Sequence, residues 1–272
     1  MPPKRVTSEG NTRLWVLMAG GCVLAALGFS WWGQSPLAKY LVRESVTLQW
    51  ARHAMFLLDW TLMCIAMMLP TAAPMLRAVY RLGRDRQEAI KLTIACAIAF
   101  TLVWASAGVV VRFAHGLAFN FLQSLPQSTE RNQLFVSLLL GLGGVYLLLP
   151  IAQRCVTACR SPMGFVARHW TGRIDVTWQS ARMGLSYGAS CFGCCWPLML
   201  AMCMLGWTDP IWMIAGGLAM AFQKLSNWGH WFTRGIGVLA IVMTFGIATQ
   251  TIGLAYVAPL WSPDGWANCG VF

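Results

Sequence analysis

Five of the ten cysteines lie in two short groups whose spacing suits metal ligands. Cys155 and Cys159 form a C-x3-C pair, and Cys191, Cys194 and Cys195 form a C-x2-C-C group. On a helix, residues four apart lie on one face, so each group would present two sulfur atoms one turn apart. Thiolates are ligands that Cu(I) and Zn(II) select. If the fold brings the groups together, they predict a soft-metal site, with copper as the first choice and zinc as the second.

A second pattern of soft ligands precedes the cysteines in the chain. Asp59, Met63 and Met67 recur at intervals of four residues, so one face of a helix would carry a carboxylate and two thioethers. Thioethers bind Cu(I) well and zinc poorly, although methionine is also a common filler of apolar packing. A carboxylate within a membrane span costs at least ~2.5 kcal/mol and usually faces a partner or a functional path. We therefore count these three residues among the candidate metal ligands, with packing as the alternative.

The candidate ligands lie in a chain made of long apolar blocks. Of its 272 residues, 57% are apolar and 11% are charged, against roughly 25% charged in ordinary soluble domains. Blocks of ~20 apolar residues span a bilayer, and they must be helical there because each backbone N–H has to be satisfied within its own segment. The sequence predicts one all-α domain, a polytopic transmembrane bundle over residues 1–272.

Seven apolar blocks are candidate spans. They cover residues 14–32, 55–76, 89–113, 134–151, 184–206, 211–222 and 235–260. The sixth block is shorter than the ~17 residues that a full crossing normally needs, so the predicted count is six or seven.

Positive charge is unevenly divided between the two sides of the predicted bundle. Fifteen of the 20 lysine and arginine residues, Lys224 among them, fall in one set of connecting segments and five in the other. By the positive-inside rule, the richer side and the N-terminus are cytoplasmic. Both cysteine groups then lie at one membrane depth on the cytoplasmic side. The net charge of +11 follows from the same rule, because the basic residues lie beside membrane spans. The predicted partner is therefore membrane lipid, and no nucleic acid is expected.

The sequence carries neither a Walker loop nor an H-E-x-x-H pair. We therefore predict a protein that is not an enzyme. Three functions stay open. The first is binding a soft metal for delivery to, or assembly of, a partner enzyme. The second is an accessory subunit of a membrane complex, in which glycines in segments 141–144 and 216–217 would admit partner helices. The third is thiol–disulfide redox transfer through the C-x2-C spacing, although the cytoplasm is reducing.

Three segments resemble a bacterial family of predicted metal-binding integral membrane proteins, some of which are labelled copper chaperone. The segments are residues 60–70, with Pro74 following, residues 155–170, and residues 183–199, continuing to Lys224. The resemblance implies a multi-pass protein of the bacterial inner membrane that handles copper. The chain departs from the family's pattern at Pro197, and at Gln223, where an acidic residue is usual. The second departure removes the expected local partner of Lys224.

The predicted orientation can be tested with reporter fusions. Fusions after residues 86 and 173 should report a cytoplasmic location, because most of the positive charge lies in those connecting segments. A fusion after residue 127, on the other predicted side, is the matched control and should report a periplasmic location. A periplasmic signal at residue 86 or 173 would contradict the shared depth of the two cysteine groups.

Overall fold

The computed structural model describes residues 49–84, 88–123, 129–171, 175–205 and 210–249, together with Gly20, Leu24, Leu27 and Gly28. Within these ranges the regular structure is helical and contains no strand, which confirms the all-α prediction. The helices are α1 (Gln49–Arg84), α2 (Ala89–Gln123), α3 (Thr129–Leu148), α4 (Pro150–Arg160), α5 (Pro162–His169), α6 (Val176–Leu205), α7 (Pro210–Leu225) and α8 (Gly229–Ala248). Most of the first predicted span and the end of the seventh lie outside the described residues.

Four helices contain a segment that is long and apolar enough to cross a membrane. The segments are Phe56–Gly83, Ala89–Ala114, Val176–Met202 and Gly229–Ala248. Helices α3 and α4 together form a fifth candidate, with a bend of 64° between them. Helix α7, which corresponds to the sixth predicted span, has 16 residues, fewer than the ~17–25 of a full crossing. The described residues therefore contain four or five candidate spans, and the predicted count of about seven is not confirmed.

The fourth predicted span, residues 134–151, is interrupted by a proline. Leu149 adopts φ −66° and ψ 148°, the extended conformation that a following proline imposes. Pro150 has no N–H to donate to the preceding turn, so α3 ends and α4 starts there at an angle of 64°. The predicted span therefore corresponds to two helices that meet at an angle. The bend directs α4, which carries Cys155 and Cys159, against α6.

Helix α6 packs against most of the other helices. It lies against α2 along much of its length, and it also contacts α3, α4, α5 and α7. Gly184 of α6 lies so close to the Cys96 carbonyl oxygen of α2 that a Cβ would not fit. This close approach buries the middle of α6, where the C-x2-C-C group is located.

Glycines also close the contact between α3 and α8. A Cβ added to Gly144 would lie 2.7 Å from the Gly237 carbonyl oxygen, so the two backbones touch. Gly216 of α7 likewise lies against the side chain of Met202 in α6. Gly144 and Gly216 thus pack against helices of the same chain. The sequence had suggested that their segments could pack against helices of a partner protein.

One face of α2 exposes a continuous apolar stripe. Ile90, Ile94, Ile98 and Leu102 follow one another at intervals of four residues, and each is at least 52% exposed. Soluble monomers rarely expose such a stripe, whereas it is the expected surface of a helix in contact with lipid tails. The buried side chains of α1 and α6 lie on the inner side of the same bundle.

Candidate metal centre

The structure brings the two cysteine groups into contact between α4 and α6. Cys159 Sγ lies 3.8 Å from Cys194 Sγ, and the Cys191 thiol lies next to those of Cys159, Cys194 and Cys195. All four side chains are buried, at 3% exposure or less. We call Cys159, Cys191, Cys194 and Cys195 the four-thiol cluster. Their proximity was predicted from spacing and topology, and their role as ligands stays a prediction.

Two thiols of the cluster are held by the backbone of their own helix. Cys194 Sγ donates to the Cys191 carbonyl oxygen at 3.1 Å, and Cys195 Sγ donates to the same oxygen at 2.9 Å. The C-x2-C-C spacing makes this possible, since residues three and four positions later lie directly over that carbonyl. Cys159 and Cys191 are therefore the two members whose thiols are not bonded to this oxygen.

Pro197 has a specific consequence for the cluster. Because proline has no N–H, it cannot donate to the Gly193 carbonyl one turn earlier in α6. The Tyr146 hydroxyl of α3 donates to that oxygen instead, at 2.7 Å. Gln223 of α7 holds the next carbonyl, since its Nε2 donates to the Cys194 oxygen at 2.9 Å. The two departures from the family pattern, Pro197 and Gln223, thus belong to one hydrogen-bonded frame around the cysteines.

Cys155 lies at the outer edge of this frame. It is half-buried, unlike the four-thiol cluster. Its sulfur occupies the space that a side chain at Gly193 would fill, because an added Cβ there would lie 2.7 Å from Cys155 Sγ. Gly193 is therefore what allows Cys155 to approach the cluster. None of the seven described cysteines forms a disulfide.

Lys224 of α7 contacts the four-thiol cluster at Cys191. Its Nζ lies 3.0 Å from Cys191 Sγ, 3.0 Å from Thr71 Oγ1 and 3.5 Å from Met68 Sδ. The residue is only 2% exposed. Lys224 was predicted to lie in a cytoplasmic connecting segment. That prediction was wrong, because the residue is buried within α7. No local signal in the sequence identifies it, because a lysine near the end of an apolar segment can equally extend to the membrane interface.

The methionine stripe faces the interior, as its spacing predicted. Asp59 is 7% exposed, and Met63 and Met67 are 1% exposed. The thioether that contacts Lys224 beside the cluster is nevertheless that of Met68, which was not among the predicted ligands. Eight described methionines are buried, namely Met63, Met67, Met68, Met75, Met183, Met199, Met202 and Met220.

The cluster is not arranged as a preformed metal cage. Among the side chains that the structure describes, no group of three or more cysteine, histidine or acidic residues has metal-holding geometry. The hydrogen bonds from Cys194 and Cys195 to the backbone explain this, since those sulfurs are turned toward a carbonyl oxygen. Binding a metal therefore requires thiol protons to leave and at least one side chain to rotate.

These features define a helical protein with several membrane-compatible helices and a buried, thiol-rich interior. The chain matches the PpoB2 family model, described as copper chaperone, over residues 57–247, and it belongs to that copper chaperone family. The match confirms the family that the sequence resembles, and it includes all eight candidate ligands from Asp59 to Cys195. No curated protein and no solved structure matches the chain.

Thiol labelling tests the packing of this site. With a membrane-permeant maleimide, Cys155 should react at least about tenfold faster than the four-thiol cluster, because only an accessible sulfur can attack the reagent. Peptide mass spectrometry before and after unfolding in detergent would measure the difference. Cys64 and Cys96, which are buried elsewhere, are protected controls. Rapid labelling of Cys159 or Cys194 in the folded protein would contradict the arrangement.

Proposed function

We propose that this chain is a membrane-embedded copper handling protein. It takes up Cu(I) on the cytoplasmic side through the clustered cysteines and passes the ion to a partner enzyme. The observation that carries the proposal is the contact between Cys159 Sγ of α4 and Cys194 Sγ of α6. Two cysteines that are 35 residues apart in the chain, one from each group, lie in contact at one buried point. Cysteines that served only for packing would not need to converge in this way.

The chemistry of the surrounding groups favours copper over zinc. Structural zinc sites take four nitrogen, sulfur or carboxylate ligands in a closed tetrahedron. The cluster here is bordered by the thioether of Met68, and further buried methionines line α1 and α6. Thioethers are soft ligands that suit Cu(I). Membership of the copper chaperone family supports the same choice.

The positions of the candidate ligands support a route along which the copper ion binds to several sites in turn. Cys155 is the most accessible of the five clustered cysteines, so we assign it to the first contact with the incoming ion. The four-thiol cluster contains the buried holding site. Met67 and Met63 then follow along the inner face of α1 toward Asp59, and weak thioether ligands there would let the ion move on. Exchange from tight thiolates to weaker ligands is what delivery requires.

The geometry offers less support to thiol–disulfide redox transfer. A redox-active C-x2-C pair needs a sulfur that a partner thiol or disulfide can attack. Cys191 and Cys194 are 1% and 0% exposed, and the Cys194 thiol donates to a backbone carbonyl. The burial of both sulfurs therefore argues against redox transfer by this pair.

Copper binding by the purified protein tests the proposal directly. The protein in detergent under reductant should bind one Cu(I) per chain, measured by competition with a coloured Cu(I) chelator and by elemental analysis. Replacing Cys159 and Cys191 together by serine should abolish this binding, because a hydroxyl is a hard ligand that Cu(I) does not select.

The matched control replaces Cys64 and Cys96 by serine, which removes two buried thiols outside the cluster. This control should bind copper like the unmodified chain. Equal copper retention in the Cys159/Cys191 variant would refute a cysteine-based site. Gel filtration of each variant checks that it remains folded.

Replacing Met63 and Met67 by leucine separates delivery from holding. This nearly volume-conserving change should leave bound copper unchanged, yet lower the activity of a copper enzyme that depends on this chain in the cell. Replacing Met163 and Met243, which are exposed, is the control and should have no effect. Normal enzyme maturation in the Met63/Met67 variant would mean that the stripe only packs.

A further inference from the structure

The charge of Lys224 is an unexplained feature of the buried site. An ammonium group has three N–H donors, and Lys224 Nζ lies near three acceptors, namely Cys191 Sγ, Thr71 Oγ1 and Met68 Sδ. All three donors are thus used. The acceptors come from α1 and α6, so α7 holds its lysine in place against two other helices.

A buried cation requires a nearby negative group, because an uncompensated charge in a low-dielectric interior is costly. Within the described part of the chain, the hydrogen-bond partners of Lys224 are two sulfurs and a hydroxyl. Of these, only the Cys191 thiol can carry a negative charge. Gln223, where the family pattern has an acid, bonds instead to the Cys194 carbonyl oxygen and the Thr233 hydroxyl.

The thiols of the cluster differ in how freely they can bind an ion. Those of Cys194 and Cys195 donate to the Cys191 carbonyl oxygen. Cys159 and Cys191 lie in contact with each other and have no such bond to that oxygen. They are therefore the pair that can bind an ion while the backbone hydrogen bonds stay in place.

We propose that Lys224 is the fixed counter-charge of the bound ion and makes the site specific for a monovalent soft cation on two thiolates, those of Cys159 and Cys191. The proposal rests on the copper-handling function above. One Cu⁺ and two thiolates carry a net charge of −1, which the ammonium brings to zero. A divalent ion on the same two thiolates is already neutral, so the ammonium would leave an uncompensated positive charge. Because Cys191 already carries the negative charge opposite Lys224, Cu⁺ displaces only the thiol proton of Cys159, which leaves to the solvent.

The test compares the affinities for Cu(I) and Zn(II) in Lys224 variants of the full chain. Lys224→Met and Lys224→Gln remove the charge at similar length and should lower the Cu(I) affinity at least about tenfold, because they leave the bis-thiolate complex without its partner charge. Their Zn(II) affinity should stay the same or rise. Lys224→Arg keeps the charge and should keep the preference for Cu(I). Lys91→Met, at an exposed lysine, is the matched control.

X-ray absorption of the copper-loaded, unmodified protein gives a readout that needs no variant. Two sulfur neighbours in a nearly linear arrangement are expected, and three or four would overturn the assignment of Cys159 and Cys191. Equal loss of both metals in the neutral variants, or no loss of either, would also overturn the proposal, since a structural lysine gives those results. If the unmodified chain bound no Cu(I) at all, the proposed function itself would fail.

Discussion

Lys224 and Cys191 meet at 3.0 Å inside the protein, and this contact constrains the elements around it. A lysine that is 2% exposed can be kept only where acceptors are fixed in advance, because moving a charge out of water costs several kcal/mol per ion. Thr71 and Cys191 supply those acceptors from α1 and α6. Helix α7, too short for a full crossing, is therefore held in the bundle by a polar contact at its end as well as by apolar packing.

The other side of the cluster depends on backbone breaks. Pro150 ends α3 and turns α4 by 64°, which sets Cys159 against α6. Pro197 leaves the Gly193 carbonyl without its helical donor, and the Tyr146 hydroxyl replaces that donor at 2.7 Å. A free carbonyl in an apolar interior would cost about 1–3 kcal/mol. Pro150 therefore positions Cys159, and Pro197 leads to the hydrogen bond that links α3 to α6.

Sequence reasoning identified the helical class, the convergence of the two cysteine groups and the inward face of Asp59, Met63 and Met67, because each follows from helical periodicity or from block hydrophobicity. It did not identify Lys224 as a site residue. A lysine near the end of an apolar segment has the same local pattern whether it extends to the interface or turns inward, and only the packing of α7 decides between these. The contact of Met68 was missed for a similar reason, since a rotation of about 100° separates adjacent helical positions.

A chaperone must bind its metal tightly enough to exclude competitors and loosely enough to release it. A closed set of four thiolates satisfies the first requirement only, which is why such sets serve as structural zinc sites. In this chain, Cys194 and Cys195 are tied to the Cys191 carbonyl oxygen, so in the proposed site they would lie beside the ion as reserve ligands. Rotation of either thiol away from that oxygen would then replace one ligand at a time. The ion would never be without ligands, and Met68, at the Lys224 side of the cluster, would be the first weaker ligand outside the thiols.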